Sequence, residues 1–312
     1  MFGRMFKTSA IDAGMVELHR KWLAGQSGGA PINLSHQSFN DVHLEDTVLQ
    51  GARFTSATLI DADFTGCDLS RAVFERAHLK LAVLTGVDFS EANLQGACFD
   101  GAWCDGVQFS EALLDEASFC GAHLEGARFM ALKMHRVDLS SADLADAAFH
   151  QSRFFECRLV SASLRQANLT GATLANCRFT GANLEDAILG RARAQNCDFS
   201  NVTATGLRAP SADLSHCDFR HADLSGADFR EANLKSSSFA EANLSSVRFG
   251  SAVLQLADFR GADLRGAREL TAEQLAPAVT DQSTWLPNGS RGPYWRGSGA
   301  EKPTRTKLST AP

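Results

Sequence analysis

No stretch of this chain approaches the roughly 18 consecutive apolar residues of a membrane-spanning helix, so no membrane association is expected. The opening "MFGRMFKTSAIDAGMVELHRKWLAG" has no long apolar core of the kind that directs secretion. Eight cysteines are present, but none show CxxC spacing, which argues against a disulfide framework or a paired-thiol metal site. The phosphate-binding loop, the dinucleotide-binding glycine pattern, HExxH and GxSxG are all missing. His43, His78 and His123 fall at outward positions too far apart to share a metal. No enzyme activity, cofactor or metal site is therefore expected. Reduced thiols without a signal or a span point to the cytoplasm.

What the chain has is a five-residue period. A large apolar residue returns at Leu34, Phe39, Leu44, Leu49, Phe54 and onward to Phe259 and Leu264, without an insertion. A small residue, usually Ala, stands two places before it, as at Ala52, Ala57 and Ala62. Five matches neither the 3.6 period of a helix nor the 2 of a strand. It does match a short extended side followed by a corner. Residues two apart then point inward together, and Gly86, Gly96, Gly106 and others supply corners. Such a chain winds into a solenoid whose hydrogen bonds run between neighbouring coils.

The coil length follows from longer spacings. Cys157, Cys177, Cys197 and Cys217 share the small position and lie twenty residues apart, and Phe179, Phe199, Phe219, Phe239 and Phe259 share the large one. Twenty residues make four sides of five. About twelve coils at ~4.8 Å each would give a rod of about 55 Å. Six cysteines, counting Cys67 and Cys104, sit at inward places and read as reduced core fillers.

The pattern resembles the pentapeptide-repeat family, with its A(D/N)LXX signature: "ADL" at Ala142–Leu144, "ANL" at Ala167–Leu169 and "ADL" at Ala212–Leu214, over about Pro31 to Ala267. The resemblance implies an all-β solenoid, a right-handed quadrilateral β-helix of about twelve coils of twenty residues. Short helical caps are expected at both ends. The expected organisation is an N-terminal amphipathic helix and linker (1–30), the β-helix (31–268), a capping segment (269–287) and a disordered basic tail (288–312). Ile11, Met15, Leu18 and Trp22 give the first helix its apolar spacing, and Thr271 with Gln274 forms a capping box at the other end. The stretch from Leu270 to Trp295 resembles a tail found in some bacterial members. Between Arg191 and Pro210 three alanines replace large residues, so a pinched or bulged coil is expected there.

Function must then lie on the surface. Between Pro31 and Arg268 there are 21 basic and 30 acidic residues, a net of −9. Trp103, Leu113, Met130 and Phe155 occupy outward places and are candidate interface residues, because aromatic anchors often dominate binding. Asp213, Asp218, Asp223 and Asp228 lie in a second, acidic, candidate region. The leading expectation is a rigid scaffold that binds an unidentified protein partner, as a monomer or homodimer, with no direct nucleic-acid binding. Some family members protect DNA gyrase from quinolones or toxins and are thought to imitate duplex DNA. The resemblance implies gyrase as the alternative partner.

Overall fold

The computed structural model describes residues 13–303, and two compact units divide the chain, one through Ser163 and one from Leu164. In the first unit residues five apart make parallel bridges to residues twenty places on: Asn33 to Arg53, Ser38 to Thr58, His43 to Asp63 and Val48 to Asp68. The second unit repeats the scheme, as in Asp198 to Asp218, Thr203 to Asp223 and Arg208 to Asp228. One turn therefore has four sides, here walls I to IV, which begin at Asn33, Ser38, His43 and Val48. On wall I the bridges lengthen into three-residue strands. β1 (Lys133–His135) pairs in parallel with β2 (Arg153–Phe155), and β3 (Thr173–Ala175) with β4 (Arg193–Gln195).

Each side spends its backbone groups on the next coil. Leu59 N–H donates to His78 O at 2.7 Å and His78 N–H to Ala57 O at 2.9 Å. The corners are four-residue turns. Ala52 N–H donates to Leu49 O at 3.0 Å, and the third residue, Gly51, has φ 71°. Positive φ at that place alone is the type II turn. Where it falls on a bulky residue, as at Leu81 (φ 60°) and Leu256 (φ 58°), the backbone is strained.

The signature Asp or Asn in the middle of a side has a mechanical role. Its Oδ1 accepts the N–H two residues on, closing the corner: Thr65 to Asp63 at 2.9 Å, Ser90 to Asp88 at 2.8 Å, Ser225 to Asp223 at 3.0 Å. This is the Asx-turn that the short polar side chain favours.

Phenylalanines fill the interior in columns. Phe109, Phe129 and Phe149 stack below wall IV at centroid spacings of 4.6 and 4.8 Å. In the second unit Phe179, Phe199, Phe219, Phe239 and Phe259 stack below wall II at 4.6 to 5.3 Å. Buried thiols fill small places at Cys67, Cys157, Cys177, Cys197 and Cys217 and a large one at Cys104, and none of the eight cysteines forms a disulfide. Burial pushes the Cys67 thiol up to about 11 and raises Cys104 as well.

The coil from Arg191 to Pro210 keeps its register and has no bulge, contrary to the expectation. Ala194, Ala204 and Ala209 are buried, and their N–H groups donate to Asp213, Asp223 and Asp228 at 2.7, 2.7 and 2.8 Å. Val202 and Leu207, both buried at the small positions, return part of the missing volume.

At the N-terminal end, α1 (Ala13–Leu23) buries a histidine rather than its apolar stripe. His19 is fully buried, and its Nδ1 accepts Ile32 N–H at 3.1 Å. Leu18 and Trp22 stay two-fifths exposed. Burial pulls the His19 imidazole below its usual range, keeping it neutral as an acceptor. Ile11, expected on the same stripe, lies outside the described residues. At the other end the five-residue register breaks, and Glu269 takes the positive φ early. α2 (Ala272–Leu275) follows with the expected Thr271–Gln274 capping box, and Gln274 Nε2 donates to Phe249 O and Ala252 O at 2.7 and 2.9 Å. Val279 and Trp285 then bridge Asp258 and Asp263, laying two more sides on the last coil. The segment from Asn288, which composition marks as disordered, packs back on this cap as far as Glu301, and residues 304–312 lie outside the described residues. Arg291 lies 4.4 Å over Trp285, Asn288 N–H donates to Ala300 O, and Tyr294 N–H donates to Thr280 Oγ1.

Candidate interaction surface

Four walls of alternating residues leave no room for a central cavity. The depressions follow corners and are lined by polar groups, such as Glu75, Arg76, Asp115, Glu116 and His135 in the first unit. Among the described residues, these depressions bring no nucleophile together with a base.

The outward residues singled out from the sequence do not form one surface. Trp103 stands on wall III of the first unit, 47% exposed, and its ring stacks on His123 at 3.8 Å with planes 3° apart. Leu113, 52% exposed, is on wall I, the opposite side of the same turn. Phe155 ends β2 beside wall I, with its ring 5.4 Å from His135. Met130 is half-buried at the corner between walls IV and I. Trp103 is thus separate from the other three.

The acidic candidates are dispersed as well. Asp213, Asp218, Asp223 and Asp228 take one wall each, so they ring a coil instead of forming a stripe. Each accepts its own corner N–H. Two of them are also clasped by an arginine two residues on: Arg220 Nη2 reaches Asp218 Oδ2 at 2.6 Å and Arg230 Nη2 reaches Asp228 Oδ2 at 2.6 Å. Arg260 with Asp258 and Arg265 with Asp263 repeat the clasp. Hydrogen bonds from Arg230 hold the Asp228 carboxyl below the usual range, and Arg260 does the same for Asp258. Asp213 and Asp223 instead accept the side-chain amides of Asn233 and Asn243, both at 2.9 Å.

Charge therefore divides between the units. Coil residues 31–163 hold 19 acidic and 9 basic residues; 164–268 hold 11 and 12. The acidic excess is thus in the first unit, and not in the coils that carry the acidic candidates Asp213 to Asp228. Wall III there runs Asp63, Val83, Trp103, His123, Asp143. The histidine platform under Trp103 was legible as a twenty-residue spacing, yet went unpaired with it.

One further cluster escaped the sequence. His43 Nδ1 lies 3.6 Å from Glu45 and 4.0 Å from Asp63. The three could offer one ligand atom each to a cation, but His43 and Glu45 are more than half exposed, and Asp63 Oδ1 is already taken by Thr65.

Pentapeptide repeats match this chain in eight copies, over residues 32–66, 67–102, 104–130, 133–171, 162–201, 212–250 and 233–268. The chain belongs to the pentapeptide repeat family. That family is generally one of non-enzymatic structural and interaction proteins. The repeats lapse over 202–211, where Ala204, Ala209 and Pro210 depart from the pattern. Solved pentapeptide repeat structures resemble it at low identity. HetL, involved in heterocyst differentiation regulation in the cyanobacterium Nostoc sp. strain PCC 7120, is 23% identical over 88% of this chain and 98% of that one, with TM-score 0.39. QnrB1, a plasmid-mediated fluoroquinolone resistance protein, is 15% identical over 73% and 92%, with TM-score 0.27. With TM-scores this low the assignment rests on the repeats themselves. No curated protein sequence matches the chain. Among the described residues no helix is long and apolar enough to cross a membrane.

Proposed function

We propose that this pentapeptide repeat protein is a non-enzymatic interaction module that holds a protein partner against wall III of its first unit. One observation carries the reading: Trp103 is half-exposed, held flat on His123, and stands on a wall with no interior role for it. A pre-positioned indole loses little rotamer freedom on binding, which favours it as an anchor. Cysteines outside any disulfide suit a reducing compartment, and we propose the cytoplasm as the location. Affinity capture from a native extract with wild type, Trp103→Ala and Leu113→Ala tests it. Loss of a partner with Trp103→Ala alone is the expected outcome. Recovery unchanged in both variants counts against the reading.

A second reading, imitation of duplex DNA at DNA gyrase, draws on the acidic excess of the first unit. The clasped Asp218 and Asp228 add little to it, because their arginines cancel the field locally. A gyrase supercoiling assay with a quinolone is its test, and no protection at micromolar protein removes it.

A further inference from the structure

We infer that the partner segment held by wall III is arginine-bearing, with a guanidinium seated on the free face of Trp103. This rests on the interaction reading above and names its chemistry. His123 covers one face of the indole; the neighbour on the other side of the wall is the much shorter Val83. Around this step the charge is one-sided. Asp63 and Asp143 stand on the wall two coils to either side of Trp103, and Asp100, Asp105 and Glu125 stand at its corners. Between Asp61 and Asp146, Lys80 is the only lysine or arginine on wall III and its two corners among the described residues.

Three of the corners also leave room, while the one at Gly101 is filled by Leu81. Gly106 and Gly126 flank the wall on one side and Gly121 on the other, and a Cβ at any of them would meet nothing within 4 Å. An extended backbone can therefore lie close beside the indole, with its basic side chains reaching the carboxylates.

The second unit holds a filled example of the same chemistry. Trp285 continues wall III beyond Asp263, and two guanidiniums lie over its ring, Arg265 at 4.9 Å and Arg291 at 4.4 Å. Arg265 is anchored at the same time by the Asp263 carboxylate at 2.6 Å. Trp103 has the indole, with carboxylates at the corners of its wall instead of beside it on the wall, and lacks the arginine. A planar guanidinium can stack and pair at once, whereas an ammonium pairs without stacking.

The test is fluorescence anisotropy of labelled nine-residue peptides alternating glycine with arginine, lysine or citrulline, titrated with the full chain. The arginine peptide should bind most tightly, roughly 3- to 20-fold better than the lysine peptide, as stacking on an indole implies. Citrulline should bind weakest. Trp103→Ala should erase the arginine preference, and Trp103→Phe should keep part of it. Asp105→Asn with Glu125→Gln should weaken arginine and lysine peptides alike. A preference that survives Trp103→Ala in protein with an unchanged thermal melt overturns the inference. So does a wild type that binds none of the peptides. If partner capture still depends on Trp103 in that case, the interaction reading stands and only the arginine chemistry falls.

Discussion

The two units have interiors built alike and differ in how their surfaces handle charge. Inside, both stack phenylalanines at 4.6 to about 5 Å and set small residues beside them. Outside, the second unit clasps four of its aspartates with an arginine two residues later, while the first unit carries 19 acidic residues against 9 basic ones in its coils. The same Asp closes the same corner in both. Whether it also projects a field depends on the residue at the corner, not on the Asp. A repeat can thus be structurally uniform and electrostatically uneven.

The shared interior predicts equal penalties. Phe109→Ala in the first unit and Phe219→Ala in the second should each lose about 3–5 kcal/mol in urea unfolding, because stacked coils cannot collapse into the gap. A several-fold difference between them would break the claim of a common core. Next in size is Gly29→Ala. A Cβ there runs into the backbone N of Trp22, so the chain returning from α1 must move. About 1–3 kcal/mol of N-terminal stability should go, seen as faster hydrogen exchange at Ile32, whose N–H binds His19. Unchanged exchange would show that the helix does not guard the first coil.

The C-terminal cap predicts a pH effect. Hydrogen bonds from Ser283 first, then Gly261 and Thr284, hold the Asp281 carboxyl at about 2. Its unfolded value is near 4, so the folded state prefers the ionised form. The resulting stability is complete above about pH 5 and is lost as pH falls towards 2. Trp285 fluorescence should report loosening of the cap in that window, and Asp281→Asn should flatten the profile. Smallest in stability is the removal of the clasps. Replacing Arg220, Arg230, Arg260 and Arg265 by Gln takes the second unit's coils from +1 to −3. It should barely move the melt, since exposed ion pairs contribute little. It should, however, give that unit a new, salt-sensitive attraction for the arginine peptide. No new attraction would mean that net charge is not what separates the two units.

Most of the fold was legible because the signal is a spacing. Leu34 to Leu264 in steps of five and Cys157 to Cys217 in steps of twenty specify sides and coil length without reference to any other contact. What escaped were features decided by local geometry. That Asp218 and Arg220 meet across a corner needs the corner's dihedrals, since residues two apart usually face alike on a strand. That His19 and not Leu18 is buried follows from the helix meeting Ile32's backbone, which offers a donor. The segment from Asn288 reads as disordered by composition, yet Trp285, Arg291 and Tyr294 tie it down pairwise. Of the surface candidates, Trp103 faces outward as its register implies, and the four aspartates take one wall each, because a five-residue step carries each one to the next wall.

Hydroxyl-radical footprinting of the full chain, with and without the arginine peptide, addresses the contrast between the units in one experiment. Protection centred on Trp103 and His123, with the coil from Asp213 to Asp228 unaffected, is the predicted pattern. Protection centred on that coil, with Trp103 oxidised as fast as in the free protein, would contradict it.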